Sequence, residues 1–215
     1  MTRSTFVRQP LRSVASRYDR MARWYRFAEP AIALPFGLRR KTVKRLALQS
    51  SDTVLEIGCG TGRNLALLCH AVGTDGVVIG VDASDGMLMQ ARQLVRRHDW
   101  KNVRLIHQDA TRLALDDQVD AVLFSLSYSV LPDREPVLLK AWEALRPGGR
   151  LVIMDAGLPA NWLGRLLRPF GEAIATVLPG DPYSRPWEDL RALSDTVGTE
   201  RFQLGIYFIC TITKP

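Results

Sequence analysis

The segment Val54-Leu55-Glu56-Ile57-Gly58-Cys59-Gly60-Thr61-Gly62-Arg63-Asn64 sets three glycines at alternate positions behind a short apolar run that carries one carboxylate. A strand, a glycine turn and a helix in succession form the place where α/β proteins hold nucleotides. A dinucleotide loop needs G-x-G-x-x-G, but the position two beyond Thr61 is Arg63, so the spacing is G-x-G-x-G and is weak evidence alone. Three further groups add to it. Glu56, two residues before Gly58, would repel a pyrophosphate and can hold ordered backbone or receive a cationic amino group. Asp82, 20 residues after Gly62, closes a second apolar run, where an acid can accept both hydroxyls of a ribose. His107-Gln108-Asp109-Ala110 follows a third such run and offers a carboxylate to an adenine amino group. The set suits an adenosine that carries a charged amino acid and no phosphate.

The elements that must position these groups are short runs rich in Val, Ile and Leu: 53–57, 77–81, 103–107, 119–125 and 150–156. They barely alternate, as strands buried on both faces should not. Helical stretches fall between them, from about Gly62 to Val72, Ser84 to His98 and Arg134 to Leu145, with the turn Arg146-Pro147-Gly148-Gly149 before the fifth strand. Such alternation predicts an α/β, doubly wound, Rossmann-like sheet, mostly parallel and seven-stranded. An inserted helix and loop at about 157–186 and closing strands within ERFQLGIYFICTITKP complete it. Two helices precede the sheet, at 11–28 and about 36–48. The chain therefore reads as a basic amphipathic helical cap, 1–48, and a domain over 49–215.

At 215 residues, 47% hydrophobic and 24% charged, the composition is that of an ordinary globular protein. No apolar run is long enough to span a bilayer, and the N-terminus lacks the hydrophobic block of a secretory signal. Cys59, Cys69 and Cys210 follow no zinc or disulfide spacing, which predicts a reducing cytoplasm and no bound metal. The net charge of +7 is unevenly placed: residues 1–45 hold twelve Lys and Arg against Asp19 and Glu29, a net +10, and the remainder is acidic. Along 11–28, Val14, Tyr18, Met21, Tyr25 and Ala28 share one helical face, with Arg12, Arg17, Arg20, Arg23 and Arg26 largely off it. That pattern fits a helix docked on the core and equally one lying on anionic lipid.

VLEIGCGTG, GVDAS, HQDATRL and LRPGGRLVIMD, in this order and spacing, resemble the class I S-adenosylmethionine-dependent methyltransferases over about residues 50–156. The resemblance implies S-adenosylmethionine as cofactor and S-adenosylhomocysteine as product. It also implies that Glu56, Gly58, Cys59 and Gly60 line the methionine side, and that Asp82 takes the ribose. Ala83 and Met87 would flank the adenine, Asp109 and Ala110 meet its edge, and Ser125 lie near the transferred methyl group.

The acceptor must be read outside that shared core. YDRMARWYRF resembles the leader of the quinone C-methyltransferases and of the bacterial phosphatidylethanolamine N-methyltransferases, whose leader helix folds over the cofactor pocket and brings Tyr25 to it. Tyr18, Tyr25, Tyr183 and Tyr207 are candidates to surround an amine becoming a quaternary ammonium, by hydroxyl acceptance and cation–π contact. The expectation is N-methylation of a lipid headgroup amine, phosphatidylethanolamine or a betaine-lipid precursor, as a step of phospholipid metabolism. The enzyme would work as a peripheral protein on the inner membrane face, in contact with anionic lipid through residues 1–45. The alternatives are a soluble small-molecule N- or O-acceptor and quinone C-methylation. Asn-Pro-Pro-Tyr, the signature for amino groups on nucleic-acid bases, is absent: the fourth run ends FSLSYSVLPD, which argues against a nucleic-acid substrate.

Overall fold

The computed structural model describes residues 10–28, 34–177 and 180–215, without the side chains of 24–28, 174, 176 and 177. Seven strands, β1 (Thr53–Ile57), β2 (Val77–Asp82), β3 (Val103–His107), β4 (Val119–Ser125), β5 (Leu145–Ala156), β6 (Gly198–Phe202) and β7 (Tyr207–Thr213), form one sheet in the order β3-β2-β1-β4-β5-β7-β6. β1 to β5 pair in parallel, and β7 runs antiparallel to both β5 and β6. The seven-stranded, mostly parallel expectation thus holds.

Period-two alternation explains why the central runs are apolar throughout. Leu55, Ile57, Val122, Phe124 and Ile153 pack into a core on one face, while Val54, Ala121, Leu123 and Val152 pack into another on the opposite face. Only the edges depart from this: β3 and β6 alternate between exposed and half-buried positions. Glu56 falls on the face of Val54, the one covered by α2 (Leu38–Arg45) and α3 (Leu65–Val72).

Helix α1 (Leu11–Ala28) occupies the expected span and packs on α4 (Asp85–His98). Its buried positions are Val14 and Ala22, with Tyr18 and Met21 half-buried, so the inward stripe steps by four. The Tyr25 side chain lies outside the described residues. Several boundaries move for physical reasons. α3 starts at Leu65, not near Gly62, because Gly60 and Gly62 have φ of +55° and +81°, which no right-handed helix accepts. α2 is shorter at both ends, since Gly37 precedes it at φ +77° and Ala47 follows it at +50°. β5 begins at Leu145, before the expected turn, because Leu145 pairs with Val119 and Gly148 N–H donates to the Lys214 carbonyl. The remaining helices are α5 (Arg134–Ala144), α6 (Trp162–Val177) and α7 (Pro186–Leu190).

Candidate active site

Strand order reverses between β1 and β4, and a crevice opens at the carboxyl ends of the strands there, where open α/β sheets bind ligands. The loops after β1, β2, β3 and β4 line it, and Leu11, Val14, Ala15 and Tyr18 of α1 cover it.

The β1 loop is shaped by close approach. Gly58 has φ +73°, and a Cβ there would stand 2.4 Å from the Ser127 Cβ. The space is taken because Ser127 Oγ donates to the Ile57 carbonyl at 2.6 Å, tying the β4 loop to β1. A Cβ on Gly60, by contrast, would meet nothing within 4 Å, so this turn presents bare backbone. Asp82 holds the turn: its Oδ2 accepts from Gly60 N–H at 2.8 Å and its Oδ1 from Ser84 N–H at 2.9 Å. Burial raises the Asp82 carboxyl above its ordinary value, against the two amides that lower it. Ser84 is the N-cap of α4, accepting from Met87 N–H, and it donates to Asp19 of α1 at 2.6 Å. Asp19 also accepts from Gly86 N–H at 2.9 Å, so one carboxylate latches α1 to the start of α4.

On the opposite wall, Glu56 is 1% exposed. Its Oε1 accepts from Asn64 Nδ2 at 2.5 Å, while its Oε2 is buried with no partner. Asn64 stands at the N-cap position of α3 but spends its amide on Glu56 rather than on the helix. Arg39 of α2 donates to both Asn64 Oδ1 and Ser125 Oγ, each at 3.2 Å. Desolvation pushes the Glu56 carboxyl up to about 7, opposed by the Asn64 hydrogen bond and the Arg39 charge.

Of the residues singled out in the sequence, Tyr18, Glu56, Gly58, Cys59, Gly60, Asp82, Ala83, Met87, Asp109, Ala110 and Ser125 line this one crevice. Asp109 also caps a short turn, accepting from Thr111 N–H at 2.9 Å. Tyr183 and Tyr207 are not at the crevice. Tyr183 donates to Glu172 of α6 at 2.6 Å, and Tyr207 is buried in the second core, its phenol pushed up to about 12 by desolvation. Arg39, Asn64, Ser127, Asp19 and Leu126 escaped the sequence reading. Asn64 could have been found as a polar residue at the helix entry. Arg39 could not, standing among five basic residues between 39 and 45. Leu126 carries φ +55°, a left-handed backbone at the pocket wall.

Comparison with known proteins decides the lineage. The family described as "Methyltransferase domain" matches residues 54–149. A demethylmenaquinone methyltransferase of Shouchella clausii is 30% identical over 159 residues, covering 74% of this chain and 68% of that protein. The chain belongs to the class I S-adenosylmethionine-dependent methyltransferases. Another protein of the same name, from Listeria welshimeri, is 31% identical over 74% of this chain and 65% of its own length, so the match spans about two thirds of these relatives. A solved methyltransferase from Aquifex aeolicus superposes with a TM-score of 0.62, at 23% identity, over 82% of this chain and 92% of its own, a likeness of fold.

The cofactor of this methyltransferase is S-adenosylmethionine, and the crevice fits it. The orphaned Glu56 Oε2 calls for a buried cationic donor, and the open backbone of Gly60 leaves room where any side chain would intrude. Among the described residues no cluster of His, Cys, Asp and Glu could hold a metal, and the three cysteines are free and buried.

Proposed function

We propose that the protein methylates a ring carbon of a quinone-type acceptor with S-adenosylmethionine as donor. The observation that carries the acceptor is the 30–31% identity, across three quarters of this chain, to proteins named demethylmenaquinone methyltransferase. When bound, the sulfonium would supply an electrophilic methyl group to the electron-rich ring of the reduced acceptor and leave as a neutral thioether, with the ring proton at that carbon released to water. The chain's own work is binding, orientation and exclusion of water. In this reading Glu56 Oε2 receives the amino group, the Arg39 guanidinium turns toward the carboxylate, and Asp82 accepts the ribose hydroxyls. Ala83 and Met87 pack on the adenine, with Asp109 and Ala110 at its edge. Ser125, fixed by Arg39, and Leu126 border the methyl group. Leu11, Val14 and Tyr18 of α1 close the crevice and keep it dry.

A lipid headgroup amine ranks behind this reading. The cation would need an aromatic surround, but Tyr183 is tied to Glu172 and Tyr207 is buried in the sheet. Peripheral membrane contact through residues 1–45 keeps its support from the exposed Arg12, Arg20 and Arg23 of α1. No helix among the described residues is long and apolar enough to cross a membrane.

The test is incubation with labelled S-adenosylmethionine and, in parallel, a reduced demethylated quinone, phosphatidylethanolamine vesicles and a polar metabolite pool. Label should enter the quinone ring. Label confined to phosphatidylethanolamine or to the metabolites would overturn the acceptor while leaving the cofactor site standing.

A further inference from the structure

Helix α6 carries apolar residues on two sides. Its inward side holds Gly164 and Ala175, both buried, with Leu163 and Leu167 half-buried. Its outward face carries Trp162, Leu166 and Phe170, which are 67%, 64% and 70% exposed and stand four residues apart, so they form one straight row. Pro169 and Ala173, also exposed, fill the space between them. A helix with a single docked apolar stripe leaves no such second row exposed.

A further exposed apolar residue lies outside the helix. Leu204, 78% exposed at φ +58°, sits on the turn before β7. Its neighbour Gly205 approaches Pro159, and Pro159 in turn packs against the first turn of α6 at Gly164. The basic groups flank this edge on one side. Arg165 is exposed and has no acidic partner among the described residues, while Arg168 pairs with Glu172 at 2.9 Å.

Topology fixes where this edge lies relative to the site. α6 follows the carboxyl end of β5, and α1 is latched by Asp19 to the residues that follow the carboxyl end of β2. α6 therefore begins at the end of the sheet where the crevice opens, the end to which α1 is latched.

We propose that the row Trp162–Leu166–Phe170, with Leu204, inserts into the interfacial layer of an anionic lipid bilayer and turns the mouth of the crevice toward it. Three features favour a bilayer over a second copy of the chain. Four part-exposed side chains offer about 600 Å², short of the roughly 800 Å² per partner of a stable dimer. A fluid interface accepts a single protruding row without shape complementarity, and tryptophan prefers that layer. Arg165, exposed beside the row and without an acidic partner among the described residues, complements anionic headgroups. This surface is distinct from residues 1–45 and does not depend on which acceptor is methylated.

The experiment is co-sedimentation of the full chain with phosphatidylglycerol–phosphatidylcholine vesicles and with phosphatidylcholine alone. It compares wild type with the triple variant Trp162→Ala, Leu166→Ala, Phe170→Ala. The triple variant should lose about a hundredfold in partitioning, from the apolar area withdrawn from lipid. Its affinity for S-adenosylhomocysteine in calorimetry should match wild type, which also shows that it is folded. Independently of any variant, brominated lipids should quench the wild-type tryptophan emission, and Trp162→Phe should remove most of that quenching. Undiminished sedimentation of the triple variant would overturn the proposal and leave the leader as the only anchor. So would a wild-type dimer that the triple variant splits, or no binding of wild type to anionic vesicles.

Discussion

In the half of the molecule built on β1, β2 and β3, the glycine turn and the start of α4 are held largely through backbone amides. Asp82 takes the amides of Gly60 and Ser84, and Asp19 takes the Gly86 amide and the Ser84 hydroxyl. In the half built on β5 and β7, polar side chains are held by one another across long stretches of chain. Asp155, at the end of β5, accepts from the amide and hydroxyl of Ser129, and burial lifts its carboxyl to about 6. Arg134 pairs with Asp181 at 2.9 Å, both side chains under 10% exposed, and also donates to Ser184. These bonds pin the 180–185 loop to the loop after β4. The first half binds through preset backbone, so few residues decide its shape. The second depends on buried charges that stabilise only as complete pairs.

The largest effect should come from breaking such a pair. Asp181→Ala leaves the Arg134 guanidinium buried without its carboxylate, and should cost about 3–5 kcal/mol in chemical denaturation. Cofactor affinity measured on the folded fraction should barely move; a large loss would merge the two halves. Next, Asp82→Ala removes the acceptor for two amides and, in the proposed reading, for the ribose, and calorimetry should show cofactor affinity falling by about a hundredfold or more. Unchanged affinity would mean that the backbone alone shapes the turn.

The Glu56 carboxyl sets a smaller, pH-dependent effect. Its folded value is raised to about 7 by burial, so the protonated form favours folding, and that contribution is lost as pH rises from the ordinary carboxylate range through about 7. The cofactor's amino group needs the ionised form, so affinity should move the other way, rising about tenfold between roughly pH 6 and pH 8. Glu56→Gln should flatten that profile and stabilise the cofactor-free protein above pH 7; a profile that stays steep would place the cation elsewhere. The smallest effect belongs to the latch. Asp19→Ala should weaken cofactor binding about three- to fivefold, mainly through faster dissociation in stopped flow, by loss of two hydrogen bonds. No change in dissociation would show that α1 closes by packing alone.

What the amino-acid order determined by itself was the cofactor half. A glycine turn, an acid at the end of the neighbouring strand and a serine at a helix start are each recognisable by residue type and spacing, so these carry the geometry. The alternation of buried runs determined the sheet for the same reason. Tertiary structure decided the rest. Only the fold could select Arg39 from its basic neighbours, turn Asn64 from helix cap to carboxylate partner, and move Tyr183 and Tyr207 away from the crevice. It also left Trp162, Leu166 and Phe170 of α6 uncovered, which periodicity cannot reveal, since a helix shows its stripe without showing what will cover it. The physical divide is range. Local backbone chemistry is written in neighbouring residues, whereas the pairing of buried charges and the facing of a helix depend on segments that meet only after folding.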